Sequence, residues 1–197
     1  MKIAVLGWGS LIWCPGCLRI KTLWKRDGPE LPIEFARISS GDRLTLVIHD
    51  SSRPRQTLWA VSELEQLNDT RENLKNREGC MSLNPVHAVE RTGTLHGSID
   101  DRVKLSIQAW LDTHGDIDAV VWTGLKSNWK EKRSCDFCTD DAIQYLKCLQ
   151  AAGQSRSAEE YIRNAPPQVR TEVRARVETE LGWNPAELPK VIFEEPQ

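Results

Sequence analysis

The hydrophobic pattern of the first third of the chain predicts strands joined by short connections. Ile3–Leu6 is an apolar run rich in β-forming residues and is long enough for one buried strand. Apolar residues recur over Leu31–Ser39 and Arg43–His49 on either side of a tight, glycine-containing connection, which predicts a β-hairpin. Gln56–Val61 predicts a further strand. Because the connections are short, we expect antiparallel pairing here.

The clearest helical signal follows these strands. Ser62 and Glu65 have the spacing of a capping box, and three leucines then recur at helical spacing. We therefore expect a helix from Ser62 to about Arg77, with Gly79 as its C-terminal stop.

The rest of the chain mixes both element types. We expect an extended segment over Met81–Val89, a loop over Gly93–Gly97, a helix over Asp101–Leu111, a buried strand over Ala119–Leu125, a polar loop over Lys126–Cys138, and helices over Asp140–Ala152, Ala158–Asn164 and Gln168–Leu181. This mixture predicts an α+β fold. We expect residues 1–125 to form the core and residues 126–197 to form a C-terminal helical extension packed on the same domain.

Composition narrows the function classes. A net charge of -2 over 197 residues is not the basic footprint of a nucleic-acid-binding protein. The eight tryptophans are scattered along the chain without a basic stripe, so core packing explains them best. No signal peptide is visible, and no apolar run approaches the ~20 residues that a membrane helix needs. We expect a cytoplasmic protein whose partner is a small molecule rather than nucleic acid or membrane; the oligomeric state stays open.

Six cysteines without a signal peptide predict reduced thiols rather than disulfides. Cys14/Cys17 and Cys135/Cys138 have the spacing of zinc half-sites, so a structural zinc clasp and two unrelated cysteine-bearing loops are both compatible with the sequence. A thioredoxin-like role is disfavoured because Cys14-Pro-Gly-Cys17 opens no clear helix. The four histidines are dispersed, and we expect them in loops or on the surface. We assign no metal ligands.

The turn after the first strand is the first candidate site. Gly7 and Gly9 bracket it, which indicates a backbone with positive φ or a close approach by a ligand. Successive N–H groups around Ser10 can form a concave nest for a carboxylate or an oxyanion. A dinucleotide-binding loop is the alternative, but Ile12 replaces the third glycine of that fingerprint, and the proline and glycine that follow disfavour the required helix.

Two short segments resemble one family. The stretch Gly7–Trp13 reads Gly-Trp-Gly-Ser-Leu-Ile-Trp and resembles the Gly-Tyr-Gly-Ser-Leu-Ile-Trp signature of γ-glutamylcyclotransferase-like proteins, including the ChaC type. Leu74-x-x-Arg77-Glu78-Gly79 is similar to a second segment of that family. Trp8 stands where the family has tyrosine, and Lys75 stands where aspartate is common. The resemblance covers roughly residues 1–125.

The resemblance implies a small mixed β-barrel flanked by helices. It implies an enzyme that cyclises a γ-glutamyl group to 5-oxoproline and releases an amine, without a cofactor. In that family the glutamate matching Glu78 is the general acid/base, and the loop matching Gly7, Trp8, Gly9, Ser10 and Leu11 binds substrate.

Two questions stay open at this stage. Glutathione, a dipeptide and a modified amine are each compatible with the sequence as the carrier of the γ-glutamyl group. Without the resemblance, Glu78 is most simply a solvated acid at a helix end. A non-catalytic module that binds a small anion or a γ-glutamyl metabolite is therefore the alternative function.

Overall fold

The computed structural model describes residues 1–50, 52–187 and 193–194. The strands are β1 Ile3–Gly7, β2 Glu30–Ile38, β3 Leu44–Ile48, β4 Pro54–Gln56, β5 Leu58–Val61, β6 Val86–Glu90, β7 Leu95–His96 and β8 Ala119–Thr123. The helices are α1 Leu67–Glu78, α2 Asp101–Thr113, α3 Trp129–Arg133, α4 Thr139–Ala151, α5 Arg156–Asn164 and α6 Glu172–Leu181. A one-turn 3₁₀ helix, Ser40–Asp42, joins β2 to β3.

The chain divides into two compact units. The first contains the described residues of Met1–Leu31, Gln56–Leu125 and Pro189–Gln197, and the second those of Pro32–Arg55 and Lys126–Leu188. Residues 32–55 thus belong to the same unit as the C-terminal helices. The α+β class predicted from the sequence is confirmed, since strands and helices are both abundant.

The first unit is built on a five-stranded sheet. The strand order is β5-β1-β8-β6-β7, and β1 pairs in parallel with β8 and antiparallel with β5. All five residues of β1 are buried, as expected for an inner strand covered on both faces. Helix α1 packs against β6 and β8, and α2 packs against β6. This arrangement holds the end of β1 and the end of α1 within the same unit.

The beginning of α1 differs from the prediction. The helix starts at Leu67, after Gln66, and has no side-chain N-cap. Ser62 instead continues the edge of the sheet: its amide donates to Ile3 O (2.9 Å), and its Oγ accepts from the Leu64 amide (2.9 Å). The serine hydroxyl that looked like a helix cap thus closes a local turn.

The end of α1 agrees with the prediction. Gly79 has φ 65° and ψ 26°, a left-handed conformation that glycine adopts without strain, and its amide donates to Asn76 O. The Cys80 amide donates to Lys75 O at 3.0 Å. These bonds fix the backbone immediately after Glu78.

The second unit contains the predicted hairpin. Strands β2 and β3 pair antiparallel with Ile33 opposite Ile48 and Phe35 opposite Leu46, in a sheet of order β3-β2-β4. Helix α5 packs on β3, and the ring of Tyr161 meets Phe35 edge-on at 6.4 Å. Helices α4 and α6 pack against each other.

Three further sequence predictions need correction. Within Met81–Val89 the strand begins only at Val86, and within the predicted loop Gly93–Gly97 two residues form β7 and pair with β6. The predicted polar loop Lys126–Cys138 contains α3, which is held by a buried Trp129 whose ring contacts those of Phe137 and Tyr145. The other predicted helices are confirmed within a few residues of their expected ends.

The described residues contain neither a closed barrel nor a helix suited to crossing a membrane. The strands there form the two sheets given above, and no closed barrel is found among them. None of the helices in these ranges has both the length and the apolar character that a membrane crossing requires.

Candidate functional site

The loop after β1 is closely packed around its first glycine. A Cβ atom on Gly7 would lie 2.7 Å from Ile12 Cδ1 and 2.8 Å from the Trp24 ring, so a larger residue would require these buried side chains to shift. Neither Gly7 nor Gly9 has a positive φ. Of the two reasons the sequence offered for glycine here, the structure supports close approach, and at Gly7 the approaching groups are side chains of the protein itself.

Three successive amides of this loop have no protein partner. The turn closes through bonds from the Ile12 amide to Gly9 O (3.0 Å) and from the Cys14 amide to Ser10 O (2.9 Å). The amides of Gly9, Ser10 and Leu11 donate to no acceptor in the part of the chain that the structure describes. Gly9 and Leu11 are buried residues and Ser10 is half-buried. Adjacent amides without a protein acceptor can together bind an anionic oxygen of a ligand.

Trp8 and Leu11 flank these amides, and both side chains are buried. No helix occurs between β1 and β2, so the dinucleotide alternative lacks the helix N-terminus that would hold a pyrophosphate.

Arg77 joins this loop to Glu78. Its Nη2 donates to Ser10 Oγ at 3.1 Å and to Cys14 O at 2.6 Å, while its Nη1 donates to Glu78 Oε1 at 3.0 Å. One guanidinium therefore separates the Glu78 carboxylate from the Ser10 hydroxyl. Sequence reasoning quoted Arg77 within the matched segment but gave it no role; its position directly before Glu78 was the available signal.

Glu78 is largely shielded from solvent. Its side chain is 17% exposed and that of Arg77 is 12% exposed, so the solvated surface acid considered from the sequence does not describe this residue. Burial raises the pKa of Glu78 above its usual value of 4.5, and the charge and hydrogen bond of Arg77 oppose that rise. A carboxyl group in such a place is a stronger base when ionised and retains its proton to higher pH.

The site thus combines two complementary parts. The loop supplies amide donors for an anionic oxygen, and Glu78 supplies a carboxylate that can accept and return a proton. Gly7, Trp8, Gly9, Ser10, Leu11 and Glu78 all lie in the first unit. Arg77 connects Ser10 of the loop with Glu78 by hydrogen bonds to both.

The two cysteine pairs are the other candidates from the sequence, and of these Cys14 contacts the site through its backbone oxygen, which accepts from Arg77. Cys14, Cys17 and Cys138 are exposed and Cys135 is half-buried; the described residues contain no group of three or more His, Cys, Asp or Glu side chains suited to a metal ion.

His87 corrects the expectation that the histidines lie in loops or on the surface. It lies in strand β6, is buried, and meets the Trp122 ring edge-on at 5.8 Å.

Comparison with known proteins adds no relative. A scan against protein-family models finds no match, and searches of curated proteins and of solved structures also find none.

Proposed function

We propose that this protein is a γ-glutamylcyclotransferase-like enzyme that converts the γ-glutamyl group of an amide or peptide to 5-oxoproline and releases the amine. Glu78 is its general acid/base, and the Gly7–Leu11 loop binds the substrate. The observation that carries the proposal is the Glu78 carboxylate, only 17% exposed and linked through Arg77 to a loop with three amides that have no acceptor among the described residues.

The proposed reaction uses a nucleophile that the substrate brings itself. The α-amine of the γ-glutamyl group attacks the γ-carbonyl carbon, a C–N bond closes the five-membered ring, and the C–N bond to the leaving amine breaks. Because both reacting groups belong to one molecule, holding the substrate folded can supply several kcal/mol of the rate enhancement. No serine or cysteine nucleophile is required.

Glu78 transfers the proton that must move from the attacking nitrogen to the leaving nitrogen. Its ionised carboxylate accepts the proton from the attacking amine, and the resulting acid returns that proton to the leaving nitrogen. The raised pKa of Glu78 suits both steps, since the same group must be a competent base and then a competent acid.

The amides of Gly9, Ser10 and Leu11 complement the substrate's negative charge. They can hold the α-carboxylate of the γ-glutamyl group or the oxyanion that develops on the carbonyl oxygen. Trp8, in the position of the family's tyrosine, supplies no phenol hydroxyl, so the proposal relies on the backbone of this loop rather than on that side chain.

Two finer features are also proposed. The family resemblance implies a small β-barrel flanked by helices, and the hydrophobic pattern of the sequence implies a cytoplasmic location.

A non-catalytic binding module is the second candidate function. The Arg77–Glu78 ion pair favours it, because a carboxylate bound to a guanidinium can have a purely structural role. In that role Glu78 positions Arg77, and Arg77 positions the loop. The unpaired amides would then hold a small anion without any reaction.

The deciding experiment measures 5-oxoproline release from glutathione, γ-glutamyl dipeptides and γ-glutamyl amines. We compare the native protein with Glu78→Gln and with Glu72→Gln, a control on the same helix whose carboxylate pairs with Lys75 at the surface. We expect release by the native protein, unchanged release by the control, and a loss of about 10²–10⁴-fold in Glu78→Gln.

Two outcomes contradict the proposal, the first in the role of Glu78 and the second in the activity itself. Release that survives in Glu78→Gln removes that residue from the mechanism. The second outcome is that the native protein, shown to be folded by a cooperative thermal melt, releases no 5-oxoproline from any substrate. If it also binds a γ-glutamyl compound saturably, the binding module is supported.

A further inference from the structure

The second unit contains a cleft of about 590 Å³ that the function proposed above does not use. Its lining includes three arginines, Arg53, Arg55 and Arg170, and the aromatic ring of Phe137. The volume is typical of sites for small molecules rather than of surfaces for macromolecules.

Arg55 lacks a partner where one is expected. It lies in β4, and its Nε atom is buried without a hydrogen-bond partner in the described part of the chain. Arg53 is exposed, and no ion pair or hydrogen bond involves its guanidinium among the described residues. Arg170 donates to Glu178 Oε2 at 3.2 Å, which leaves further N–H groups of its guanidinium for other acceptors.

The carboxylate oxygens of Glu34 bind backbone amides rather than the guanidiniums of these arginines. Glu34 lines the cleft, but its Oε1 accepts from the Phe35 amide at 2.8 Å and its Oε2 accepts from the Glu172 amide at 3.1 Å. It therefore serves the N-terminus of α6, and burial raises its pKa. Glu172 is the other carboxylate in the lining, and it is exposed at the first position of α6.

We propose that this cleft binds a small organic phosphate. The guanidiniums of Arg53, Arg55 and Arg170 supply forked donors that match phosphate oxygens, with Arg55 Nε as the donor that now lacks an acceptor. The hydroxyl-bearing residues Ser52 and Thr139 also line the cleft, and the Phe137 ring offers a surface for the organic part of the ligand. Arg170 is paired with Glu178, but Arg53 and Arg55 form no ion pair among the described residues, and their two positive charges outnumber that of Glu172, the exposed carboxylate of the lining.

The test uses isothermal titration calorimetry with three probes at constant ionic strength: inorganic phosphate, pyrophosphate and malonate. We expect saturable binding of pyrophosphate to one site, weaker binding of inorganic phosphate, and the weakest binding of malonate, which carries carboxylates of similar charge. Loss of one charge-assisted contact in Arg55→Gln should weaken pyrophosphate binding about tenfold.

Three further variants make the result decisive. Arg53→Gln changes an exposed residue and should weaken binding without affecting folding. Glu172→Gln should tighten binding, because it removes the exposed carboxylate of the cleft lining, which repels an anion. Arg156→Gln is the matched control: Arg156 is exposed in the same unit but outside the cleft, and it should leave binding unchanged.

Several outcomes would overturn the proposal. For the native protein, these are the absence of saturable binding of pyrophosphate and the binding of malonate as tightly as pyrophosphate. For the variants, they are an affinity for pyrophosphate that falls equally in Arg156→Gln, and one that stays unchanged in both Arg53→Gln and Arg55→Gln. None of these measurements depends on 5-oxoproline release, so the phosphate site can be confirmed or rejected independently of the catalytic role of Glu78.

Discussion

Arg77 and Glu78 are neighbours in sequence, and their side chains form an ion pair with Nη1 3.0 Å from Oε1 at the end of α1. The same guanidinium also holds Ser10 and Cys14 of the loop after β1. Arg77 therefore has two effects on Glu78: it places the carboxylate near the loop, and it lowers a pKa that burial raises.

Replacing Arg77 with Gln should move the pH dependence of 5-oxoproline release. The substitution removes both influences that lower the pKa of Glu78, so that pKa rises further. Since the reaction begins with the ionised carboxylate, the acidic limb of the kcat/KM profile should shift to higher pH. The profile is measured on the native protein, on Arg77→Gln and on the control Lys75→Gln.

A structural role alone predicts a different result for this variant. If Arg77 only fastens the loop, kcat/KM falls equally at every pH and the position of the acidic limb stays fixed. The control Lys75→Gln should match the native profile, because Lys75 pairs with Glu72 on the same helix.

Glu78 should also make stability depend on pH. Its pKa in the folded state lies above the ordinary value of 4.5, so between these two values the folded protein binds more protons than the unfolded chain. The free energy of unfolding contributed by Glu78 is thus fully present below the ordinary pKa and is lost as pH rises through the folded value.

Glutamine at position 78 does not titrate. The free energy of unfolding of Glu78→Gln minus that of the native protein should therefore increase as pH rises from the ordinary pKa of 4.5 through the raised pKa of the folded state. Urea unfolding followed by tryptophan fluorescence, with a thiol reductant present, measures it. A difference that stays constant with pH would mean that the pKa of Glu78 is not raised.

The sequence predicted best those features that neighbouring residues determine. The hairpin β2–β3 and the stop at Gly79 follow from alternation and from glycine's conformational freedom, and both are present. The start of α1 could not be found in this way, because the Ser62 hydroxyl can satisfy a nearby amide in a turn as well as in a helix cap.

Features that depend on distant contacts were missed. Helix α3 has only five residues, and its Trp129 is buried against the rings of Phe137 and Tyr145, which a local pattern does not reveal. The role of Arg77 depends on Ser10, which lies 67 positions away in the sequence. The segment containing Glu78 was selected through resemblance, whereas its burial comes from the fold.

Glu34 provides a prediction about folding in the second unit. Its two carboxylate oxygens each accept a backbone amide, and its residue exposure is only 4%. Glutamine has a single acceptor oxygen, so Glu34→Gln should leave one amide facing an NH₂ group and lower the free energy of unfolding by about 1–3 kcal/mol.

Urea titration of Glu34→Gln measures this loss. Glu160→Gln, an exposed acid in the same unit, serves as the control and should change the free energy of unfolding by less than about 0.5 kcal/mol. Equal stability of the two variants would contradict the assigned role of Glu34.

Two glycines, Gly97 and Gly124, pack against the ring of His87. This packing can be tested by adding a methyl group at one glycine and then removing the ring. A Cβ atom on Gly124 would lie 2.3 Å from His87 Cε1, and one on Gly97 would lie 2.5 Å from His87 Cδ2. Gly124→Ala should therefore lower the free energy of unfolding by about 1–3 kcal/mol through overpacking. Gly115→Ala is the matched control, since nothing lies within 4 Å of its Cβ position.

The cause of the Gly124→Ala defect is identified by a double-mutant cycle. In a His87→Ala background the ring that meets the new methyl group is gone, so Gly124→Ala should cost much less there than in the native protein. Thermal or urea unfolding of the four proteins gives the coupling energy directly. Additive losses would show that the imidazole is not what excludes a side chain at position 124, and that the backbone of Gly124, whose amide donates to Pro85 O, is the sensitive element.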